Sequence, residues 1–256
     1  MCTLLTACGS DEVVYKERSV EDIYNGAMDK LLGGNPSQAA VDFDEVERQH
    51  PYSVWARKSQ LMAAYSHYLS NDYDEAIFAA QRFLQLHPGN RDAPYAYYLI
   101  GISYYEQISD VGRDQKFTKL ALEGLQEVVD RYPETEYARD ARLKIDLTRD
   151  HLAGKEMEVG RFYLQRGFYA AAINRFRYVI ENFQTTTHVP EALHRLTEAY
   201  LSLGVSDEAQ TAAAVLGHNY PGSPWYEDSY ALLTGKRLAP EEDESSWISR
   251  VWKTVF

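Results

Sequence analysis

The chain has 256 residues and carries 26 Lys and Arg against 38 Asp and Glu, which gives a formal net charge of −12 at pH 7. This balance argues against a nucleic-acid binder and against attachment to anionic lipid by charge alone, because both require a basic face. Hydrophobic residues make up 45% and charged residues 25% of the chain, as in ordinary globular proteins, which argues against a largely disordered chain.

The first predicted element is a lipid-attachment motif. Residues 5–8 read Leu-Thr-Ala-Cys and are followed by polar residues, which resembles the lipobox of bacterial lipoproteins, where cleavage before the Cys frees it for acylation. Cys2 and Cys8 are the only cysteines, too few for a disulfide framework or a zinc site. The residues before Cys8 contain neither Lys nor Arg nor a complete apolar stretch, so they do not form a full signal peptide. The alternative is a cytosolic protein whose N-terminus carries no signal.

A pattern of small residues, large apolar residues and prolines recurs five times. In one register it comprises Ala39, Phe43, Val46 and Pro51; Ala76, Ala80, Phe83 and Pro88; Ala121, Leu125, Val128 and Pro133; Ala172, Phe176 and Val179; and Ala209, Leu216 and Pro221. These are second-helix positions of the tetratricopeptide (TPR) repeat, a helix–turn–helix unit of about 34 residues. The sequence therefore predicts an all-α fold, an α-solenoid of five TPR helix–turn–helix repeats.

Small residues also recur in the first helix of the repeats. One position is occupied by Ala27, Ala64, Gly101 and Gly160 in the first four copies. A small side chain at that position lets the two helices of a repeat approach closely, so we expect these residues to lie at helix contacts.

The repeat period is interrupted twice. Between Gly101 and Ala121 the spacing exceeds the repeat by eight residues, which places an insertion around residues 109–114. Residues 134–149 carry apolar side chains at helical spacing without a turn signal, and they predict a long helix between repeats three and four. We predict four segments: the lipobox and N-terminal arm (1–19), repeats one to three as a peptide-groove half (20–133), the long helix with repeats four and five and a cap as a partner-scaffold half (134–235), and a tail (236–256).

The tail follows a predicted short capping helix at residues 225–234. Residues 238–246 form an acidic linker that we expect to be mobile. The last ten residues place on one helical face Trp247, Ile248, Val251 and Val255. This amphipathic segment is either a docking peptide or a cap that folds back onto the last repeat.

The first helices of repeats one to three carry an aromatic stripe. Positions that face the concave side of stacked repeats are occupied by Tyr24, Met28 and Leu31, by Leu61, Tyr65 and Tyr68, and by Tyr98, Ile102 and Tyr105. Since tyrosine offers contact area at small entropic cost, we predict a peptide-binding groove lined by Tyr24, Leu61, Tyr65, Tyr68, Tyr98, Ile102 and Tyr105. The alternatives are ordinary packing of adjacent helices, or filling of the groove by the arm at residues 13–20.

No catalytic or metal-binding motif stands out in the sequence. The seven His residues show no paired ligand spacing, and no glycine-rich phosphate loop or nucleophile elbow occurs. We therefore predict a non-enzymatic protein with no metal and no cofactor, apart from a covalent lipid on Cys8.

Several stretches whose charged and tyrosine residues the repeat does not require carry a more specific resemblance. They are residues 43–53, 65–68 with 79–84, 140–142 with 149–153, and 161–167. With the acylated N-terminus, the five repeats and the long middle helix, they resemble the BamD family of lipoproteins, part of the bacterial outer-membrane β-barrel assembly (BAM) machinery. The resemblance covers about residues 20–220.

The resemblance implies a scaffold and receptor anchored through Cys8 on the periplasmic face of the outer membrane of a Gram-negative bacterium. It implies that the N-terminal groove receives the C-terminal signal of unfolded outer-membrane proteins. It also implies that the C-terminal repeats hold the periplasmic domain of the barrel insertase BamA and accessory BAM lipoproteins, whereas residues 247–256 depart from the family. The alternatives are a periplasmic TPR adaptor of cell-envelope constriction or peptidoglycan synthesis, and a periplasmic hydrolase or its regulator.

Overall fold

The computed structural model describes residues 17–255. Residues 1–16, which include Cys8, the lipobox and most of the predicted arm, lie outside this range. The described part of the chain is helical and contains no strand. Its helices are α1 (Val20–Leu32), α2 (Pro36–Gln49), α3 (Val54–Leu69), α4 (Tyr73–Leu86), α5 (Ala93–Glu106), α6 (Lys116–Arg131), α7 (Glu136–Gln165), α8 (Tyr169–Asn182), α9 (Val189–Leu203), α10 (Ser206–Asn219), α11 (Pro224–Gly235) and α12 (Trp247–Val255).

The first ten helices form five consecutive pairs, which confirms the predicted all-α TPR fold and the number of repeats. In each pair we call the first helix A and the second helix B. Most B helices end two residues before a closing proline: α2 before Pro51, α4 before Pro88, α6 before Pro133 and α10 before Pro221. A proline disfavours the helical conformation of the residue before it, so the helix must stop at that point.

Side-chain caps define where several A helices begin. Ser53 accepts hydrogen bonds from the amides of Trp55 and Ala56, at 3.0 and 3.3 Å. Thr135 accepts one from the Ala138 amide at 3.2 Å. Such caps satisfy amide groups that have no partner within the helix.

The chain divides into two compact units, the first ending at Pro88 and the second beginning at Gly89. One core cluster of the first unit consists of buried residues on α1 to α3, and Ala76, Ala80 and Phe83 of α4 are buried as well. The members of this cluster are Ile23, Tyr24, Ala27, Ala39, Phe43, Val46 and Ala63. The predicted division between a peptide-groove half (20–133) and a partner-scaffold half (134–235) is one of role, and it stays a prediction.

The second unit is organised around the predicted long helix, which the structure confirms as α7, with 30 residues. Its N-terminal part packs against α6 through Ala138, Ala141 and Ile145. Its C-terminal part packs against α8, where Met157 and Leu164 join a larger core. One uninterrupted helix thus belongs to the packing of two successive repeats.

The C-terminal tail forms a cap and does not project as a free docking peptide. Helix α12 packs on α8 and α10, where Ile248 is fully buried and Trp252 is 7% exposed. The helical face predicted from the sequence did not include Trp252. The ring centroid of Trp252 lies 6.2 Å from that of Tyr220. The side chain of Val255 lies outside the described part of the chain.

The acidic linker, for which the sequence predicts mobility, makes hydrogen bonds to α10 through its backbone and Ser246. The Asp243 amide donates to Thr211 Oγ1 at 3.1 Å, and Gln210 Nε2 donates to the Ala239 carbonyl at 2.7 Å. Ser246 Oγ donates to Glu208 Oε2 at 2.6 Å. The acidic side chains stay exposed while these bonds hold the segment along the helix.

A close backbone approach between two helices of the second unit yields a test of the fold. A Cβ at Gly101 would lie 3.0 Å from the Leu125 amide nitrogen and 3.1 Å from the Gly124 carbonyl carbon. We expect Gly101→Ala to destabilise the fold by about 1–3 kcal/mol, because backbone atoms cannot make room for a methyl group.

The matched control is Gly26→Ala in α1, where an added Cβ meets nothing within 4 Å. We expect this change to be neutral or stabilising by up to about 1 kcal/mol, since alanine favours the helix. Urea unfolding of both variants checks the pair, and equal stability of the two would contradict the predicted contact.

Candidate functional site

The seven predicted groove residues are divided between the two compact units. Tyr24, Leu61, Tyr65 and Tyr68 lie in the first unit, on helices α1 and α3. Tyr98, Ile102 and Tyr105 lie in the second unit, on α5. All seven are on A helices, as predicted.

Tyr24 is buried under the A-helix surface of the first unit and is not part of that surface. It is 5% exposed, and its ring centroid lies 5.5 Å from that of Phe43 and 4.7 Å from that of Trp55. The Trp55 ring of the next A helix covers a position that the repeat pattern assigned to the groove. The packing alternative therefore applies to Tyr24.

Three residues of α3 remain half-buried and together form what we call the α3 tyrosine face: Leu61, Tyr65 and Tyr68. Their spacing of four and three residues places them on one side of the helix. Tyr68 contacts the ring of Tyr73 at 6.0 Å. Lys58 lies on the same side, one turn before Leu61, and its ammonium group is 5.3 Å from the Tyr24 ring centroid and 5.7 Å from that of Trp55.

In the second unit, the tyrosines of α5 are joined to α7. The Tyr98 hydroxyl donates to Asp140 Oδ2, and Lys144 Nζ lies 2.9 Å from the same oxygen. Lys144 is also 5.7 Å from the ring centroid of Tyr105, and the Tyr137 ring lies 5.5 Å from that of Tyr98. Tyr98 and Tyr105 thus form a cluster with α7 residues that the sequence reasoning missed.

The charge of Asp140 is favoured within this cluster. Burial raises the pKa of its carboxyl, but the hydrogen bond from Tyr98 and the amine of Lys144 outweigh burial, and the pKa lies below its usual value. Burial, with the nearby charge of Glu136, raises the pKa of the Tyr137 hydroxyl. The cluster therefore presents a carboxylate near the neutral phenol of Tyr137.

Ile102 lies beneath this cluster at 7% exposure, so it contributes to the core more than to a binding surface. The outcome parallels that of Tyr24, which is also buried. Ordinary helix packing thus accounts for two of the seven predicted residues.

An ion-pair network continues along the A helices of repeats four and five. Arg161 of α7 contacts Glu191 of α9 at 2.9 Å, and Arg195 contacts Glu191 at 3.5 Å and Glu198 at 2.9 Å. The Arg195 guanidinium also lies 5.3 Å from the ring centroid of Trp225 on α11. The spacing of residues 191, 195 and 198 at helical intervals was the signal in the sequence that could have identified this surface.

The described end of the N-terminal arm lies against helix α2. The Arg18 amide donates to Gln49 Oε1 at 2.9 Å, and the Arg18 carbonyl is 2.7 Å from His50 Nε2. Val20 packs on the core of the first unit. These contacts do not place residues 17–20 over the α3 tyrosine face.

The histidines make structural contacts. His194 is buried, with Nδ1 2.9 Å from Ser229 Oγ, and burial lowers the pKa of its imidazole. His87 Nε2 lies 3.0 Å from Gln60 Oε1. Within residues 17–255, no group of three or more His, Cys, Asp or Glu side chains could hold a metal ion. Among those residues, no helix is long and apolar enough to span a bilayer.

A family model described as outer membrane lipoprotein, YfiO, matches residues 16–216 of the chain. Helix α11 and the tail lie beyond the matched range. The chain is 57% identical over 228 residues to the outer membrane protein assembly factor BamD of Caulobacter vibrioides, a match that covers 89% of this chain and 75% of the relative. It is 47% identical over 214 residues to BamD of Rickettsia prowazekii, covering 84% and 85%.

Among solved structures, a thermophilic TPR protein of Thermus thermophilus resembles the chain with a TM-score of 0.39 and 18% sequence identity. This match covers 84% of this chain and 98% of that one.

The Tyr98–Asp140 hydrogen bond gives a test of the cluster on α5 and α7. We expect Tyr98→Phe to raise the pKa of Asp140, because the hydroxyl that stabilises the carboxylate is removed. The measurement is a carboxyl carbon NMR titration of the two proteins. Tyr97→Phe is the control, since the Tyr97 ring packs instead against Tyr132, at 5.7 Å between centroids.

The same bond predicts an acid-side change in stability. Because the folded-state pKa of Asp140 is lowered, its ionisation stabilises the fold above the unfolded-state pKa, and this contribution is lost as the pH falls through the folded-state value. We expect Tyr98→Phe to lose part of that dependence. An unchanged Asp140 titration in the variant would contradict both expectations.

Proposed function

The chain belongs to the YfiO family of outer membrane lipoproteins and is an outer membrane protein assembly factor of the BamD type, and on this premise we propose that its α3 tyrosine face binds the C-terminal segments of unfolded barrel proteins. The protein is a non-enzymatic component of the outer membrane assembly complex. Family membership favours this role over an adaptor of cell-envelope constriction. The observation that carries the proposal is the half-exposed tyrosine surface of α3.

The chemistry of the α3 tyrosine face suits such a segment. A barrel strand alternates apolar and polar residues, and Tyr65 and Tyr68 offer apolar ring faces together with polar tips. Lys58 lies at the N-terminal end of the same face, where its ammonium group is held over the Tyr24 and Trp55 rings. A terminal carboxylate placed beside Lys58 would complete the recognition of a chain end.

The C-terminal repeats take the role of partner scaffold in this proposal. We assign to residues 134–235 the periplasmic domain of the insertase BamA and the accessory BAM lipoproteins. The ion-pair network of Arg161, Glu191, Arg195 and Glu198 supports this assignment, because half-exposed charges select a partner through electrostatic complementarity.

The lipid anchor expected for a lipoprotein family is proposed to be a covalent lipid on Cys8. Two or three acyl chains on one residue hold a protein stably at a bilayer, whereas one chain gives reversible binding. This anchor would hold the protein on the periplasmic face of the outer membrane.

Peptide binding to the α3 tyrosine face is tested by substitution of its two tyrosines. The probe is a fluorescein-labelled peptide that copies the last strand of an outer-membrane barrel and ends in an aromatic residue. We expect Tyr65→Ala with Tyr68→Ala to weaken binding at least about tenfold, which corresponds to about 1.4 kcal/mol. Fluorescence anisotropy measures the affinity, and thermal unfolding verifies that the variant is folded.

The control for this experiment is Tyr52→Ala, because Tyr52 is fully exposed in the turn between α2 and α3. We expect its affinity for the peptide to match that of the unmodified protein. If the double variant binds the peptide as tightly as the control, the α3 tyrosine face is not the receptor surface.

The lipid proposal is tested with the two cysteines. Cys8→Ser should release the protein from the outer membrane fraction, because the acylated thiol is removed. Cys2→Ser, the matched control, should leave it there. Mass spectrometry of the membrane-extracted protein should find the lipid on Cys8, and an unmodified Cys8 in the membrane fraction would contradict the proposal.

A further inference from the structure

The second compact unit contains a cleft on its B helices, away from the A-helix residues discussed above. It lies between α6 and α8, with α7 at its base and the inserted segment 107–115 at one end, and its volume is about 560 Å³. Its lining residues are Arg113, Asp114, Gln115, Lys119, Leu122, Arg149, Leu152, Lys155, Glu156, Tyr178, Asn182 and Phe183. We call it the basic cleft.

Cations outnumber acids around this cleft. Within the part of the chain that the structure describes, Arg113, Lys119 and Arg149 have no ion-pair partner. Lys155 Nζ donates to the Gly112 carbonyl at 2.9 Å and lies 3.5 Å from Glu158. The positive rim is a local feature of a chain whose net charge is −12.

The acids that line the cleft itself, Asp114 and Glu156, are fewer than its cations. Glu156 is engaged by Arg175 at 2.9 Å, so its charge is already compensated. Beyond Arg149, Glu127 pairs with Arg131 at 2.8 Å. Asp114 on the rim, and Glu123 and Asp130 beside Arg149, are the remaining acids that line this region.

The floor of the basic cleft is apolar. Leu152 is 8% exposed, and Leu122 and Phe183 are half-buried beside it. The Tyr178 ring, which is 46% exposed, packs edge-on against Phe183 with 5.8 Å between centroids. A pocket of this kind suits one aliphatic or aromatic side chain of a bound segment.

The inserted segment makes the cleft a preformed site. Gln115 is buried, and its Nε2 donates to the carbonyls of Val111 and Arg113 at 3.2 and 3.0 Å. Thr118 Oγ1 donates to Gln115 Oε1 at 2.9 Å, which ties the segment to the start of α6. Binding to such a wall requires little ordering of the protein.

The first compact unit offers an internal comparison. A cleft of about 530 Å³ lies between its B helices α2 and α4, with α3 at its base. Its lining residues include the acids Asp44, Glu47 and Glu75 against Arg48 and Arg82. Glu47 pairs with Arg82, and Arg48 pairs with Glu45. Unpaired positive charge is therefore not a general property of clefts between B helices of this fold.

We propose that the basic cleft binds an extended acidic peptide segment of a partner protein. Carboxylates of the segment pair with Arg113, Lys119 and Arg149, and one apolar side chain enters the floor between Leu122 and Phe183. A cleft walled on both sides by helices admits a single chain, whereas a lipid surface meets a flat basic face. The site shares no residue with the α3 tyrosine face or with the ion-pair network of Arg161, Glu191, Arg195 and Glu198, although it lies partly within residues 134–235, to which the partner role is assigned.

The test uses the full-length lipoprotein in detergent and a fluorescein-labelled peptide of sequence Asp-Leu-Glu-Phe-Asp-Leu-Glu. A second peptide replaces every Asp and Glu by Asn and Gln. We expect the acidic peptide to bind at least about tenfold more tightly than the amide peptide. Arg149→Glu should weaken binding of the acidic peptide at least about tenfold, because attraction becomes repulsion.

Arg139→Glu is the matched control, since Arg139 is exposed on the same helix, does not line the cleft and undergoes the same change of charge. Its affinity for the acidic peptide should stay within about twofold of the unmodified protein. Binding of the barrel-strand peptide used above should be unchanged in both variants, so the two sites can fail independently.

Any of three results overturns the proposal. Equal affinity for the acidic and amide peptides, or equal weakening by Arg149→Glu and Arg139→Glu, removes the cleft as an acidic-peptide site. Binding to phosphatidylglycerol vesicles that Arg149→Glu abolishes, in the absence of peptide binding, assigns the cations to lipid headgroups.

Discussion

The close approach of the two helices within each repeat is the constraint on which the rest of the structure depends. The alanines at the shared B-helix position, Ala39, Ala76, Ala121, Ala172 and Ala209, are all fully buried. Side chains of this size bring helix axes together and leave no space for a larger group. The large apolar residues one turn further, Phe43 and Phe176, and two turns further, Phe83, then fill the core. The A-helix residues are left to contact the next repeat or solvent.

The division of labour between these residues follows from their size and their neighbours. Tyr24 and Ile102 are buried by adjacent side chains, whereas Leu61, Tyr65 and Tyr68 keep exposed surface. In the second unit the same helix face carries fixed polar contacts, from Tyr98–Asp140 to Arg161–Glu191. A packed aromatic surface suits segments of varied sequence, and directional ion pairs suit one defined partner. The two kinds of surface match the two roles proposed for the chain, receptor of barrel segments and partner scaffold.

The sequence specified the local features because each has a local cause. A proline two residues past a helix, a run of helical spacing without a turn, and an alanine at a fixed interval all determine their own surroundings. Contacts between distant residues had no such signal. Asp140 and Tyr98 are 42 residues apart in the chain. Their hydrogen bond depends on how α7 packs against α5. The basic cleft gathers Arg113, Lys119 and Arg149 from an inserted segment and two helices, while the overall acidic composition pointed away from such a site. Trp252 was missed because the tail was assigned a face before the surface that receives it was known.

The number of residues in helix α7 also sets the angle between the repeats that it joins in the second unit. Ile145 is the last α7 residue in the core cluster shared with α6, and Ala153 is the first in the core cluster of the following repeats. At about 100° per residue, these eight positions turn the packing direction through about 800°, which is two full rotations plus about 80°. The count of residues, more than their identity, therefore sets the angle between the two stacks. Deleting one exposed residue from the middle of α7 would leave the side chains of both core clusters unchanged and still turn one stack by about 100° against the other.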